Sequence, residues 1–360
     1  PGRQVKRLSR HALIAIQLLI SIGFVYGLLH QTDLARVGEH VAQASLPLLA
    51  LSLLTKLGGF GLMAVRLQRF STASGGLTFG QSFRAQSVAF VGNNVLPLRL
   101  GEALKVGFMA RHGLSSITAC VGIAAVERIL DSVFLVLFIT AALMLFSDVI
   151  PTSGALYLFS AIALTGFIVL FLTARFPALF ERLVGQTTGF LGESASNMLR
   201  HHAGQFARGV GALASPRLFI TLVALTAGYW LFSALSVYVW ILACGIEVPW
   251  HASVVVLVFV CLSTVLPSAP GFIGTYHYFA ALALGLFGVS ADAAASFAIV
   301  GHAVAIIPFT IALAPLVAKD IVRLHRAGTP RVVGAAERLR SSIEDDSPTV
   351  EEAADGVPSR

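Results

Sequence analysis

Charged side chains are scarce in this sequence. Only 12% of the 360 residues are Asp, Glu, Lys or Arg, whereas soluble domains carry about 25%. Hydrophobic residues make up 56% of the chain, and its mean hydropathy is +0.82. So few charges cannot cover a surface that faces water. A soluble globular protein is therefore excluded, and an integral membrane protein is predicted.

Recognisable catalytic motifs are also missing. The sequence contains no HExxH, P-loop, GxSxG or dinucleotide-binding fingerprint, and no His and Cys cluster has metal-ligand spacing. Cys120, Cys244 and Cys261 lie in apolar stretches without a CxxC pair, which favours buried thiols over a disulfide framework. We therefore expect no catalytic residue, no metal and no cofactor, and an enzyme is disfavoured.

Long apolar segments are what the sequence has in abundance. A helix that crosses a bilayer needs about 20 apolar residues. Clear candidates are 12–30, 46–66, 116–146, 154–174, 218–245 and 293–318. The formal net charge is +7, but the basic residues lie at segment ends and in selected loops, which indicates membrane topology rather than nucleic-acid binding.

The distribution of Lys and Arg predicts the orientation. With six full spans and a cytoplasmic N-terminus, the outward loops are 31–45, 147–153 and 246–250, and they hold one basic residue, Arg36. The inward loops and both ends hold most of the other basic residues, including Arg66 at the end of its span, whereas Lys56, Arg99, Lys105 and Arg128 lie within apolar regions. The positive-inside rule then places both termini in the cytoplasm, with the protein in a bacterial inner (cytoplasmic) membrane.

Two further apolar regions, 80–112 and 250–289, are each interrupted by Pro and Gly. The interruptions read NNVLPLRLGE at 93–102 and TVLPSAPGFIGTYHY at 264–278. Each region either returns as a re-entrant hairpin or spans twice, and simple hydropathy counts eight segments in all. With hairpins, the two halves repeat one order of elements in opposite orientations. We therefore predict an all-α inverted repeat with three transmembrane helices and one re-entrant hairpin per half.

The predicted domains follow from this repeat. Residues 12–147 form the first membrane repeat and 148–318 the second. The second contains a cytoplasmic connector at 177–213, whose interleaved apolar and basic residues suit an anionic leaflet. Residues 1–11 form a cytoplasmic N-terminus. The Pro-, Gly- and charge-rich tail at 319–360 is expected to be disordered.

Paired broken helices are typical of a substrate site near the midplane, because free backbone groups survive there only inside protein or beside a cavity. Helix N-termini at the breaks would favour an anionic group. The alternative is that each Pro only kinks a span for packing. The candidate headgroup residues are Asn94, Pro97, Arg99, Gly101, Glu102 and Lys105 in the first half, and Pro267, Ser268, Pro270, Gly271, Gly274, Thr275 and His277 in the second.

Charges at membrane depth cost at least about 2.5 kcal/mol each and usually pair inside a bundle. Glu127 and Asp131 share one helix face, and we predict that one of them pairs with Arg99 or Lys105. Such a network would bind a headgroup directly or fasten the first hairpin in place. His277 either changes protonation near neutral pH or only packs. The candidates for a charge network or for coupling are Glu127, Arg128, Asp131 and His302.

Three stretches resemble one known family: NNVLPLRLGEALKV at 93–106, VERILDS at 126–132 and LPSAPGFIGTYHYFAALALGLFGV at 266–289, with His302 also fitting. The chain resembles the lysylphosphatidylglycerol synthase transmembrane-region family of flippase-like proteins. The resemblance implies translocation of a phospholipid or lipid-linked substrate. Relatives more often have Arg where this chain has Lys105. The soluble aminoacyl-transferase domain of some relatives is expected to be absent.

These observations lead to one main hypothesis and two alternatives. The main hypothesis is a lipid translocator without ATP hydrolysis of its own, whose partners are membrane lipids with an anionic headgroup or a lipid-linked substrate. The first alternative is a non-catalytic membrane partner of a lipid- or glycan-modifying enzyme. The second is an intramembrane lipid-modifying enzyme. A homo-oligomer and a membrane enzyme partner are left open, and nucleic acid is not expected.

Overall fold

A computed structural model describes residues 2–30, 32–96, 100–114, 116–145, 154–189, 193–264, 266 and 268–324. All regular elements in these ranges are helical. The helices are α1 (Gly2–Leu29), α2 (Leu34–Ala42), α3 (Leu46–Ser71), α4 (Phe79–Val95), α5 (Gly101–Arg111), α6 (Ile117–Leu145), α7 (Gly154–Arg175), α8 (Pro177–Thr187), α9 (Glu193–Val210), α10 (Pro216–Ala243), α11 (Ala252–Ser263), α12 (Thr275–Gly285) and α13 (Ala291–Leu324), the last with a π-helical turn at His302–Ile306. The predicted tail 319–360 is described only as far as Leu324.

Within the described ranges, α3, α10 and α13 are long and apolar enough to cross a membrane. A fourth span results if Ala15–Leu29 and α2, which are bent by 86° at their junction, act as one. α6 is a continuous helix through the predicted span 116–146, but it contains charged residues. α1 starts at Gly2 rather than near residue 12, because Arg, Gln, Lys and Leu are good helix formers.

α3 and α10 pack against each other as an antiparallel pair. Near one end, the Ser52 hydroxyl donates to the carbonyl oxygen of Ser236 (2.9 Å), and the Ser236 hydroxyl donates to that of Ser52 (2.8 Å). Towards the other end, Arg66 Nη1 lies 3.2 Å from the Thr226 hydroxyl. Reciprocal bonds of this kind hold two apolar helices in register where no water competes for the polar groups.

α4 and α5 form the first hairpin. The backbone N–H of Gly101 donates to Asn93 Oδ1 (3.0 Å) near the break. Farther from the break, the Arg84 guanidinium lies 5.7 Å from the centre of the Phe108 ring. The two arms are therefore antiparallel. α4 ends at Val95 because the next residue, Leu96, adopts the extended backbone that a following proline imposes.

α11 and α12 form the second hairpin. Phe259 and Phe279 approach with their ring centres 6.4 Å apart near the break, and His251 and Phe287 lie 6.0 Å apart at the mouth. The contacts again run in opposite order along the two arms, so this hairpin also returns to the end at which it began.

The two hairpins enter the bundle at opposite ends of the α3–α10 pair. The mouth of the first hairpin lies at the C-terminal end of α3. Gly75, just after α3, contacts Gly113, just after α5, so closely that a Cβ atom on Gly75 would be 2.5 Å from the Gly113 carbonyl oxygen. The second hairpin follows the C-terminal end of α10, where the Ser45 N–H donates to the Ala243 carbonyl (2.8 Å) at the start of α3. The antiparallel packing of α3 and α10 sets these entries on opposite sides.

α8 and α9 occupy the predicted connector 177–213, but they differ in their surroundings. α8 exposes Leu179 (54%) and Leu183 (49%) on one face. α9 instead packs closely against α6, since a Cβ atom on Gly209 would overlap the carbonyl oxygen of Ala119, and Gly122 lies beside it. Small residues allow such close helix contacts. Of the two helices, α8 therefore presents the apolar face to the surroundings.

Candidate functional site

Six charged side chains meet where α3, α5 and α6 pack together, and we call them the ionic cluster. They are Arg66, Glu102, Lys105, Glu127, Arg128 and Asp131. The cluster contains three cations and three carboxylates, so its formal charges cancel. This balance is what the interior of a membrane bundle requires, because an uncompensated charge there is costly.

Lys105 and Glu127 form the fully buried side of the cluster. The Lys105 ammonium donates to Glu127 Oε2 (2.9 Å) and lies 3.1 Å from Glu102 Oε2. The Gln86 amide on α4 donates to the other oxygen of Glu127 (2.8 Å). The side chains of Lys105 and Glu127 are both 0% exposed. The pair therefore joins both arms of the first hairpin to α6.

Arg66 joins the long helix α3 to the same cluster. Its guanidinium donates to both oxygens of Asp131, at 2.6 and 3.1 Å, and lies 3.6 Å from Glu127. The Tyr229 ring of α10 lies 5.8 Å from it. Arg66 is 0% exposed. Two parallel N–H bonds to one carboxylate give the strong, directional geometry that suits a buried arginine.

Arg128 differs from the other two cations of the cluster. Its side chain is 49% exposed, and its nearest carboxylate oxygens, on Glu102 and Asp131, lie 3.7 and 3.6 Å away. These distances exceed those of N–H···O hydrogen bonds, which are about 2.7–3.2 Å. Arg128 is therefore held near carboxylates by charge while about half of its side chain stays exposed.

The tips of the two hairpins meet at a second polar position, which we call the tip site: Asn94, Gly271, His277 and His302. The Asn94 backbone oxygen lies beside Gly271. His302 Nε2 is 2.7 Å from the Gly271 carbonyl oxygen, and the Asn94 amide donates to the Thr310 hydroxyl (3.2 Å). The last helix therefore holds both tips.

The two histidines of the tip site are neighbours. The rings of His277 and His302 are 4.6 Å apart, and Tyr276 lies 5.4 Å from His302. The Gly274 N–H donates to His277 Nδ1 (3.4 Å). A glycine carbonyl can only accept, so His302 Nε2 carries a proton in its bond to Gly271.

The other predicted residues of the second break line its turn. Ser268 and Pro270 flank Ala269, whose N–H donates to the Ser21 hydroxyl of α1 (2.8 Å). Thr275 is buried, and its hydroxyl donates to the Phe272 carbonyl (3.3 Å). Pro97, Arg99 and Pro267 lie outside the described residues. The predicted roles of Arg99 therefore have no structural account.

Arg66 is the member of the ionic cluster that the sequence prediction does not include. The sequence prediction counts it among the cytoplasmic charges near the end of a span, and the structure shows that its side chain is completely buried against Glu127 and Asp131. α3 continues to Ser71, and Leu67 and Phe70 after Arg66 are buried as well. The large apolar residues Leu67 and Phe70 were the available signal that the helix continues past Arg66.

A family model described as the lysylphosphatidylglycerol synthase TM region matches residues 14–312. The chain belongs to that family. The match includes both hairpins, the ionic cluster and His302, and it confirms the resemblance seen in the sequence. Family membership and the apolar helices together identify a multi-pass α-helical membrane protein. Neither a comparison with curated proteins nor one with solved structures finds a match.

Proposed function

We propose that this protein moves a phospholipid or lipid-linked substrate with an anionic phosphate headgroup between the leaflets of a bacterial inner membrane. The observation that carries the proposal is Arg128, a half-exposed cation on an intramembrane ionic cluster whose other two cations are buried. Family membership adds a membrane context but assigns no lipid to this chain.

Electrostatics favour Arg128 over Lys105 and Arg66 as the headgroup cation. Lys105 and Arg66 are bonded to carboxylates at hydrogen-bond distance, so a lipid phosphate would have to break those bonds. Arg128 has longer contacts and a half-exposed side chain. A guanidinium binds phosphate through two parallel hydrogen bonds. In this proposal Glu102 and Asp131 hold Arg128 until the phosphate arrives.

The helix lengths support re-entrant hairpins over pairs of full spans. The arms α4, α5, α11 and α12 have 17, 11, 12 and 11 residues. At 1.5 Å per residue, α5, α11 and α12 are about 16–18 Å long and α4 is about 26 Å long, so no arm reaches across a 30 Å hydrocarbon core. Both hairpins would then end inside the membrane, where their tips contact each other at Gly271.

The opposite entries of the hairpins support the inverted repeat. α3 and α10 begin at Leu46 and Pro216, 170 positions apart, and the two Val-Leu-Pro breaks at 95 and 265 are separated by the same number of positions. In this arrangement the first hairpin opens towards the cytoplasm, the tip site lies towards the midplane, and both termini are cytoplasmic. A headgroup would pass from Arg128 towards the hairpin tips while its acyl chains stay in lipid.

The test is transport in vesicles that contain the full chain and a tail-labelled fluorescent phosphatidylglycerol, with the labelled lipid of the outer leaflet extracted by albumin. We expect Arg128→Gln to slow transport about tenfold, because a hydrogen bond to a charged group contributes about 1.5–3 kcal/mol. Arg69→Gln is the matched control, since Arg69 is an exposed arginine of α3 that no ion pair of the described residues includes.

Two results would contradict the proposal. Transport by the Arg128→Gln variant at the wild-type rate would remove the assigned role of Arg128. Transport by the wild-type chain no faster than in protein-free vesicles would argue against translocation itself. Co-purification with a lipid- or glycan-modifying enzyme would then favour the non-catalytic partner, and a new lipid product on expression would favour the enzyme.

A further inference from the structure

α6 and α13 are capped in the same way, which sets a common register for them. The Ser116 hydroxyl accepts from the Ala119 N–H (3.0 Å), and the Ser290 hydroxyl accepts from the Ala293 N–H (3.4 Å). Each serine therefore caps its helix through the backbone N–H three residues later. Counting twelve positions from each cap reaches Arg128 in α6 and His302 in α13.

The surroundings of these two residues also correspond. In each half, the side chains that approach this residue come from the helix that follows the hairpin break. Glu102 of α5 lies 3.7 Å from Arg128. Tyr276 and His277 of α12 approach His302 with ring centres 5.4 and 4.6 Å away. The chain thus places a permanent cation at one position and an imidazole at its counterpart.

The hydrogen bonds determine which histidine takes a proton. His302 donates through Nε2 to the Gly271 carbonyl, so an added proton goes to Nδ1 and leaves that bond intact. His277 accepts from the Gly274 N–H at Nδ1, so protonation there would break a bond. Two imidazolium rings 4.6 Å apart would also repel each other. His302 is therefore the member of the pair that becomes charged.

Other ionisable groups around His302 come from two helices. Tyr276 and His277 face it from α12. Lys56 of α3 acts on it electrostatically and lies 5.6 and 5.7 Å from the ring centres of Phe90 and Phe309. The salt bridges among the described residues include none at His277 or His302. A protonated His302 would add positive charge at this position.

Access to the two positions differs in this structure. Arg128 is 49% exposed, whereas His302 is 7% exposed and covered by the Gly271 carbonyl of the second hairpin tip. One position is open while its counterpart is closed. Such a difference is what a transporter needs if its two halves take turns in exposing a site.

We infer that His302 is the second headgroup position of this protein, the counterpart of Arg128 in the other half, and that it binds an anionic phosphate only while protonated. This inference rests on the proposed function. Movement of the second hairpin tip away from His302 would free the Nε2–H from the Gly271 carbonyl. The charged ring would then donate both of its N–H groups to a phosphate. The headgroup would then have one permanent and one proton-dependent binding position along its path.

The test is the pH profile of phosphatidylglycerol transport in the same vesicles, read by albumin extraction. Imidazole is charged below its titration range and neutral above it, so wild-type transport should fall about tenfold as the pH rises through the titration of His302. His302→Gln should be slow and independent of pH. His302→Arg should restore fast transport and remove the pH dependence. Arg128→Gln should be slower than wild type at each pH but should keep the wild-type profile.

His201→Gln is the matched control, since His201 is an exposed histidine of α9, and it should keep the wild-type profile. Variants are compared only after size-exclusion chromatography shows that each elutes like the wild-type chain. A wild-type pH profile in His302→Gln, or a slow His302→Arg variant, would overturn the inference and leave the proposed function standing. A wild-type chain without transport at any pH would overturn both.

Discussion

The Arg66 guanidinium contacts two carboxylates, a hydroxyl and an aromatic ring while it is fully shielded from solvent. Taking a charge out of water costs several kcal/mol, and only close, well-oriented partners offset that cost. Arg66 therefore stabilises the fold only as part of the cluster. Its neighbour on the same helix, Arg69, is exposed and has no such dependence.

At this scale we predict that Arg66→Met lowers the free energy of unfolding by about 3 kcal/mol. This is the low end of the range for breaking a buried pair, because Arg128 and Lys105 remain beside the two carboxylates. Urea or SDS unfolding of the purified protein measures the change. Arg69→Met is the control and should unfold like the wild type. Equal stability of the two variants would contradict the buried pairing.

The sequence located most of the cluster and had Lys105 with Glu127 among its candidate pairs, but it did not pair Asp131 with Arg66. Glu127, Arg128 and Asp131 were recognisable because charges are rare inside an apolar helix. The partner of Asp131 was not, since Arg66 lies 65 residues away along the chain. Side-chain pairing across helices depends on how the helices pack, and no local pattern in a single sequence encodes that packing.

Helix elements in this protein are joined by two kinds of contact. The ionic cluster joins α3, α5 and α6 through charge, whereas α6 and α9 meet through backbone contact at Gly122 and Gly209. Hydropathy predicted where the apolar helices lie, and the two prolines predicted where α4 and α11 would stop. The close contact of α9 with α6 was not predicted, because the same amphipathic sequence pattern suits a helix that lies on a leaflet and a helix that packs against another helix.

At the scale of elements we predict that Gly209→Ala destabilises the protein by about 1–3 kcal/mol, since the added methyl forces α9 away from α6. Gly61→Ala in α3 is the matched control, because a Cβ atom there meets nothing within 4 Å. It should stabilise slightly, by up to about 1 kcal/mol, as glycine is replaced in a helix. Thermal unfolding of both variants measures the difference, and an unaffected Gly209→Ala variant would refute the close packing.

In the whole molecule, the two hairpins enter from opposite ends of one antiparallel helix pair. If α3 and α10 cross the membrane, the first hairpin opens on one side and the second on the other. The sequence predicted this from loop charges and from the two matched breaks. It could not fix the depth of the tips, which depends on the lengths of the helical arms.

This topology predicts opposite labelling of two exposed positions. After replacement of Cys120, Cys244 and Cys261 by Ala, a single cysteine at Arg111 should react with a membrane-impermeant maleimide only from the cytoplasmic side. A single cysteine at Glu247 should react only from the outer side. Right-side-out and inside-out vesicles provide the two conditions. Labelling of both positions from one side would exclude the inverted arrangement.

The buried position of Arg66 also has a consequence for biosynthesis. Asp131 leaves the ribosome 65 residues after Arg66, which takes about 3 to 13 s at 5–20 residues per second. During that interval α3 has no carboxylate partner from α6. Arg66 lies five residues before the end of α3, close enough for its long side chain to reach towards the membrane surface. The arginine would withdraw into the bundle only when α6 arrives, so assembly of the cluster marks the point at which the first half of the protein becomes fixed in the membrane.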